Sequence, residues 1–479
     1  MLVLVTFIVN AGFNFALGLL VAHFLGPADF GRYAFAQAIG VLINVTFIDW
    51  VKLSTTRFYS QKTRAARPSL RRTLDAGFMI SSLIVCAAST ICLVSGVDFG
   101  VSTALAAMVP AMAISYALFD YHTAMTRALF NDPLYATIVV GKNLFSLVLT
   151  VGGAWYFRDP VIVLAGLCLS QVIAWLTVRK PLAEPGPGGP PLPSIAVSLL
   201  AYALPIVLAN AFYQIVPIYN RAAISIALGV AEMGQYSLAF DISTKLFSTI
   251  GSAFDILLFQ LAVRIHHERG LAAAREQLSH NLGILIGAIV PLGLGLWFVL
   301  PSLDAIFIPA EFKGVFSNYV AQLIPGLAAL SLMLFGFNPV LQIRDRTYPI
   351  IIAGLVGILA DIALIYRLPA GAPGTAYAQA QTMAMVLALA VTIVFVFAIM
   401  PVLPRIRAMI GCLAGLAAMT LVLWPLSGLT PGFTALAISG ALGASAYLAM
   451  QYLFNAGDLR MMLASRRQTG LPPQDRNGP

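Results

Sequence analysis

The sequence predicts an all-α polytopic membrane protein of about 14 transmembrane helices, arranged as two parallel six-helix repeats plus two extra helices. Three observations predict it. The first is composition. Hydrophobic residues make up 59% of the 479 positions and charged residues only 10%, against about 25% charged in a soluble domain. The second is segmentation. A span needs about 20 apolar residues. Cutting at charges and Pro/Gly clusters leaves fourteen such runs: 2–24, 34–56, 73–96, 101–125, 135–157, 160–178, 196–227, 235–261, 282–300, 319–342, 349–367, 374–399, 408–427 and 433–454. The third is a repeat. Leu25 to Ala36 reads LGPADFGRYAFA and Leu228 to Ala239 reads LGVAEMGQYSLA, identical at six of twelve positions and 203 residues apart.

The elements follow in chain order. Met1 to Phe24 has no basic leader and no small-residue cleavage site, so it reads as a first span rather than a signal peptide. The runs 34–56 and 235–261 carry charges. The pair 135–157 and 160–178 is split only by Phe157-Arg158-Asp159-Pro160. Pro181 to Ser194 holds nine Pro or Gly in fourteen residues, which makes it an extended cytoplasmic linker. Arg264 to Asn281 is the longest charged loop. It reads as a short surface helix, or more sharply as a docking site for a cytoplasmic partner. Pro301 to Asn318 is apolar for a loop and is expected in the membrane interface. The domains are then 1–180 and 195–400 as six-helix bundles, 181–194 as linker, 401–455 as two extra spans and 456–479 as a cytoplasmic tail.

Basic residues test the segmentation. Twenty of the 28 lysines and arginines fall in one alternating set of loops and the tail, and four in the other. One missed span would flip every later loop and erase this bias, so it supports fourteen spans with both ends in the cytoplasm of an inner, cytoplasmic membrane. Spans 1 and 7 precede the motif copies. Six spans separate them, so both copies face outside and the halves run parallel, related by an axis along the membrane normal. A duplicated half is the usual build of a transporter, with its substrate site between the halves.

The net charge of +9 does not mark a nucleic-acid binder, because the bases sit in short loops where they set topology. The four cysteines all fall in apolar runs without metal spacing. No metal site and no cofactor is expected. No catalytic constellation and no phosphate-cradling Gly-rich loop appear, so the reading is not an enzyme.

The motif LGPADFGRYA after span 1, its weaker copy after span 7, Tyr219-Asn220-Arg221, DWVKLSTTR from Asp49 to Arg57, and the Gly371/Gly374 turn before span 12 carry a resemblance. Over residues 1–400 the chain resembles bacterial polysaccharide-biosynthesis membrane proteins. These are the O-antigen and exopolysaccharide repeat-unit flippases of the multidrug/oligosaccharidyl-lipid/polysaccharide (MOP) exporter superfamily. The resemblance implies a MATE-like fold with two bundles around a central cavity. It implies movement of a polyprenyl-pyrophosphate-linked oligosaccharide from the inner to the outer leaflet. The implied partners are that lipid-linked oligosaccharide, membrane lipid, a polysaccharide polymerase and chain-length proteins. The chain departs from the pattern by starting almost at its first span, without a short polar leader.

A charge at the bilayer centre costs about 2.5–3.5 kcal/mol on insertion scales, so embedded charges invite a functional reading. They are Asp49, Lys52, Asp120, Lys142, Arg221, Asp241, Lys245, Asp255 and Asp361. Asp49/Lys52 and Asp241/Lys245 share helix faces and can neutralise one another. Asp49, Asp120 and Lys142 lie toward span ends and can snorkel. Arg221 has no acid near it in sequence, and its planar fork suits a pyrophosphate. Lys245 and Lys52 follow as further stations for an anionic headgroup. Asn10 and Asn14 on span 1, with Asn210 and Gln214 on span 7, are candidate sugar contacts, although interhelical hydrogen bonding explains them adequately. Asp361 is the candidate proton or sodium site, with an interhelical ion pair as the alternative.

Three rival readings stand beside this one. A cation-coupled multidrug exporter of the same fold is expected to carry an acid in span 1, and residues 2–24 have none. A major-facilitator carrier is expected to show Gly-x-x-x-Asp-Arg between spans 2 and 3, where this chain has QKTRAARPSLRR. A polymerase or glycosyltransferase needs large external loops, which the segmentation does not leave. The topology is directly testable. Single cysteines at Arg67, Gly188 and Arg466 should be blocked only by reagents reaching the cytoplasmic side, and cysteines at Asp29 and Glu232 only from outside. Labelling of Asp29 and Glu232 from opposite sides rejects parallel halves.

Overall fold

The structure is a computed structural model that describes residues 2–96, 100–183, 189–254, 258–344 and 346–455. Asp255, the centre of the Pro/Gly-rich linker and the tail 456–479 lie outside them. The described chain is helical throughout, with no strand. It is a multi-pass membrane protein: twelve of its helices are long and apolar enough to cross a bilayer. The count of fourteen follows from two details. The first helix, α1 (Leu2–Phe47), is broken at Gly26, which has φ 71°. It therefore supplies two arms where apolarity alone registers one run. The helix α10 (Val230–Phe254) carries Glu232, Asp241 and Lys245, which keep it out of the twelve.

The break in α1 is chemical. Gly26 takes a left-handed φ that a side chain would strain, and Pro27 fits the start of a new arm but not a helix interior. After α1 come α2 (Asp49–Phe58), α3 (Gln61–Ala66), α4 (Leu70–Val94) and α5 (Thr103–Ala128). The expected single span 34–56 is interrupted at Ile48, with Asp49 opening the first turn of α2. α6 (Asp132–Ser146) passes through a π-turn at Leu147–Val151 into α7 (Gly152–Phe157). The narrow boundary before α8 (Pro160–Val178) is real. Arg158 is left-handed, Pro160 opens α8, and the Asp159 carboxylate accepts the Val161 N–H at 2.7 Å as an N-cap.

α9 (Pro193–Leu228) ends at Gly229, φ 96°, the counterpart of Gly26 in the second motif copy. α11 (Gln260–Phe307) is broken at Gly270, so the charged segment Arg264–Asn281 is helical on both sides of a kink. The expected interfacial loop Pro301–Asn318 is different from the sequence reading. α11 continues to Phe307, a 3-10 turn covers Ala310–Phe312, and buried Phe312 packs edge-on against Phe30 at 5.9 Å. α12 (Val315–Leu332) and α13 (Asn338–Ile343) flank a second π-turn, Met333–Phe337. α14 (Tyr348–Tyr366), α15 (Gly374–Ile399), α16 (Ile406–Leu426) and α17 (Phe433–Leu453) complete the chain.

The chain forms two compact units. One comprises Met1–Lys245, Ile308–Leu323 and Thr347–Ala388. Its core includes Val51, Leu74, Tyr121, Met125, Ile138, Val178 and Leu199. Both ends of the linker are fastened here: the Leu182 carbonyl accepts from Arg71, and the Leu192 N–H donates to Thr73 Oγ1 at 3.1 Å. The other unit comprises Leu246–Phe307, Ile324–Arg346 and the chain from Leu389 onward. There α16 and α17 pack on α11 through Met419, Leu423 and Tyr447, whose hydroxyl donates to the Gly287 carbonyl at 2.7 Å.

Candidate functional site

Three groups of polar side chains lie inside the first unit, and each deals with charge differently. The first surrounds Lys52. Its ammonium sits 3.0 Å from Asp49 Oδ1 and 2.9 Å from Asp120 Oδ2. The i, i+3 pairing with Asp49 is as the sequence suggested; the second acid comes from α5. Lys52 is thus a cation with two counter-ions of its own.

The second group surrounds Arg221, which is only 3% exposed. Its Nη2 donates to Asp241 Oδ1 at 2.5 Å and its Nε to Ser237 Oγ at 3.0 Å. The guanidinium also lies 5.6 Å from the Phe240 ring centre. Arg221 was singled out for having no acid near it in sequence. In space Asp241 supplies one, from the middle of the next helix. Asp241 therefore serves Arg221, not only its helix neighbour Lys245. Beside it, Asn220 Nδ2 donates to Asp361 Oδ2 at 2.7 Å. Asp361 is 1% exposed, and its Oδ1 has no hydrogen-bond partner; nor does Asn220 Oδ1. The alternative of an interhelical ion pair at Asp361 does not form among the described residues.

The third group joins α1, α6 and α10. Asn14 Nδ2 donates to Asn10 Oδ1 at 3.0 Å, and Asn143 Nδ2 donates to the same oxygen at 3.0 Å. Lys142 Nζ donates to Asn14 Oδ1 at 2.9 Å and to Asn143 Oδ1 at 3.2 Å. The result is a closed ring of three amides and one ammonium. Lys142 is buried, yet it makes no ion pair among the described residues. An ammonium has three donors, and the ring uses two. Lys245 reaches the same place from α10: its Nζ donates to the Asn14 backbone carbonyl at 3.5 Å. Gly18, one turn after Asn14, lies beside the same ammonium; a Cβ there would be in ordinary contact with Lys245 Nζ at 3.7 Å. Two cations and three amides thus converge on one turn of α1, a concentration of positive charge and amide groups among the spans.

Sequence reasoning found Asn10, Asn14 and Lys245 of this cluster and missed its centre. The sequence suggests snorkelling for Lys142 and does not single out Asn143. The signal was present as adjacent Lys and Asn in mid-helix of an apolar span. Asn210 and Gln214 are half-buried on α9, and no hydrogen bond joins either to the cluster. No group of three or more His, Cys, Asp or Glu among the described residues could hold a metal.

The repeated motif is a structural junction. Gly31 and Gly234 occupy equivalent places in the two copies and face each other. A Cβ on Gly31 would lie 2.7 Å from the Val230 carbonyl oxygen and 2.9 Å from the Gly234 nitrogen. A Cβ on Gly234 would overlap the Pro27 carbonyl outright. The acids diverge: Asp29 pairs with Arg32 at 2.6 Å, whereas Glu232, whose copy has Gln235 instead, accepts from Tyr319 at 2.5 Å. Gly374 leaves room for that contact, since a Cβ there would overlap the Tyr319 hydroxyl.

Fold and site together define a polytopic α-helical membrane protein with a cationic, amide-rich cluster among its spans. Among solved structures it is similar to the lipid II flippase MurJ in an inward closed conformation. That match has a TM-score of 0.64 and 14% identity, over 94% of this chain and 98% of that one. It is similar to an inward-facing multidrug resistance MATE family transporter of the MOP superfamily, with a TM-score of 0.59 and 12% identity, over 81% and 93%. A MOP superfamily transporter from Pyrococcus furiosus, described as having a binding pocket of reverse polarity, gives a TM-score of 0.53 and 13% identity over 82% and 93%. These likenesses establish a shared fold. No protein-family model and no curated protein matches the sequence.

The junction makes a specific prediction. In purified protein, Gly234→Ala must separate the motif copies, because its Cβ meets backbone that cannot rotate away. A cysteine at Val230 should then react with a maleimide faster by about tenfold, equivalent to about 1.4 kcal/mol of opening. An unchanged rate means that the junction opens without cost and the glycines do not hold it.

Proposed function

We propose that this protein is a flippase that carries polyprenyl-pyrophosphate-linked oligosaccharide repeat units across the cytoplasmic membrane for surface polysaccharide synthesis. In this reading both termini are cytoplasmic. The single observation that carries it is Lys142. A buried ammonium held only by amide oxygens carries a charge without a counter-ion in the ring, and a bound anion supplies one. Lys245 adds a second cation at the same turn. Asn10, Asn14 and Asn143 present amides to the phosphates or sugar hydroxyls of a cargo headgroup. The ion-paired Arg221 and Lys52 brace the helices around it. A lipid-linked cargo is supported by analogy of fold: the likeness to the lipid II flippase runs over 94% of this chain, against 81% for the MATE transporter.

Asp361 is proposed as the coupling site. Its Oδ1 is buried without a partner, as is the Oδ1 of its neighbour Asn220, and a proton or sodium ion taken up at Asp361 would satisfy the carboxylate. That same feature favours the second reading, a cation-coupled multidrug exporter of the same fold.

Reconstitution in vesicles separates the readings. Wild-type protein should move a fluorescent polyprenyl-pyrophosphate oligosaccharide between leaflets. Lys142→Ala should slow it by about tenfold or more at normal protein level, as expected when a charge-assisted contact is lost. Lys142→Arg should retain part of the rate. Transport of cationic drugs with no movement of the lipid-linked saccharide sinks the flippase reading and leaves the exporter. In the same vesicles, Asp361→Asn should abolish the response of transport to an imposed proton or sodium gradient. A mutant that still follows the gradient removes Asp361 as the coupling site.

A further inference from the structure

In the second unit, α11 and the start of α16 enclose a cavity of about 390 Å3, lined by Ser279, His280, Gly283, Arg405, Arg407 and Asn455, among others. Its walls are fixed. Arg275 Nε donates to the Pro401 carbonyl at 2.7 Å, the Ser279 hydroxyl donates to the Leu403 carbonyl, and Arg405 Nη2 lies 3.0 Å from Glu276 Oε1. These bonds hold the connector 401–405 along α11. Gly283 allows the close approach, since a Cβ there would lie 3.2 Å from Ala408 Cβ. Glu276 is the acid at this rim and is engaged by Arg405. Arg407 makes no side-chain hydrogen bond or ion pair among the described residues. The cavity is thus walled by two guanidiniums, an imidazole and a hydroxyl, with one guanidinium uncommitted. The first N–H groups of α16 open at the same place, which adds to the anion preference.

Position adds a second argument. α16 enters its apolar run directly at Ile406, and α11 turns apolar after Asn281, with Ile284 in the cavity wall. The polar residues therefore stand where two spans leave the hydrocarbon, at the depth of lipid phosphates. We infer that this cavity binds a phosphate-bearing anion through Arg407, Arg405, His280 and Ser279. The volume falls within the range of small-ligand sites, about 300–1,000 Å3, and is larger than a bare phosphate needs. The anion is either the headgroup of an anionic membrane lipid or a soluble phosphate compound. The inference is independent of the cargo cradle, which lies in the other unit.

The test uses the full chain purified in a neutral detergent. Phosphatidylglycerol and inorganic phosphate are titrated separately and read by native mass spectrometry and thermal stability, with phosphatidylcholine as the neutral-headgroup control. Arg407 is exposed, so Arg407→Ala is expected to fold; elution as one monodisperse peak verifies it. Arg367→Ala, elsewhere on the surface, removes the same charge. Phosphatidylglycerol should bind wild type in preference to phosphatidylcholine, and Arg407→Ala should weaken it by about tenfold, the loss of one charge-assisted contact. Arg407→Lys should weaken it less. Arg407-dependent binding of phosphatidylglycerol alone identifies a lipid headgroup. Arg407-dependent binding of inorganic phosphate identifies a soluble anion. Equal loss in Arg407→Ala and Arg367→Ala, or no loss in Arg407→Ala for either probe, overturns the inference.

Discussion

A charge taken out of water must find its opposite, and this constraint sorts the polar residues of the first unit. Breaking a buried ion pair costs more than the pair ever contributed, because an uncompensated charge remains. Lys52 meets Asp49 and Asp120, and Arg221 meets Asp241. In those five residues both cations are met by acids, and the pairs hold α2 to α5 and α9 to α10. Lys142 and Asp361 are different: the two partners of Lys142 are amides that offer dipoles without net charge, and Asp361 is met by the amide of Asn220. Amides can orient an ammonium, but they cannot neutralise it. The ring of Asn10, Asn14 and Asn143 therefore positions a cation while leaving its charge available, which is what binding of an anion requires.

Much of the fold was legible because a bilayer punishes ambiguity. Length, apolarity and loop charge located the spans, and the 160–178 boundaries match α8 at both ends because Asp159 and Pro160 are strong local start signals. The break at Ile48 and the helical half of Pro301–Asn318 were not legible. Both depend on tertiary packing, as in the burial of Phe312 against Phe30, which no local pattern announces. The site was half legible for a similar reason. Sequence separation hid Asp241 from Arg221 and Asp120 from Lys52, so two neutralised cations looked open. Lys142 looked neutral in role because its position near a span end admits snorkelling. Only the path of α6 past α1 shows that its side chain turns inward to Asn14.

The duplicated motif has a plainer physical meaning than its sequence suggested. Conserving Leu-Gly, a small residue, an acid and then Gly-x-Tyr in both copies preserves two backbone requirements. Gly26 and Gly229 allow a left-handed residue where each helix stops. Gly31 and Gly234 let two backbones approach without side chains between them. The acids between the glycines are freer, and they have diverged into an Asp29–Arg32 pair in one copy and a Glu232–Tyr319 bond in the other. The repeat thus constrains geometry at the glycines and leaves chemistry open at the acids.

Spatial order links the coupling candidate to the cradle. Asp361 holds Asn220, which is followed in the chain by Arg221; Arg221 holds Asp241, one helical turn before Lys245; and Lys245 reaches the Asn14 carbonyl, beside Lys142. Every step is a hydrogen bond, a peptide bond or a turn of α10. In the proposed cycle, a proton or cation taken up at Asp361 changes the charge that Asn220 faces. The adjoining Arg221 is clamped by Asp241 and Ser237, so it cannot relax by rotating alone. In that cycle an adjustment of Arg221 would be shared with α10 through Ser237 and Asp241, and α10 carries Lys245. Under the proposed function, the closed ion pair at Arg221 would act as a relay and not as a cargo contact. A cargo-binding arginine would have to be free to meet its ligand, whereas a relay has to be held at both ends.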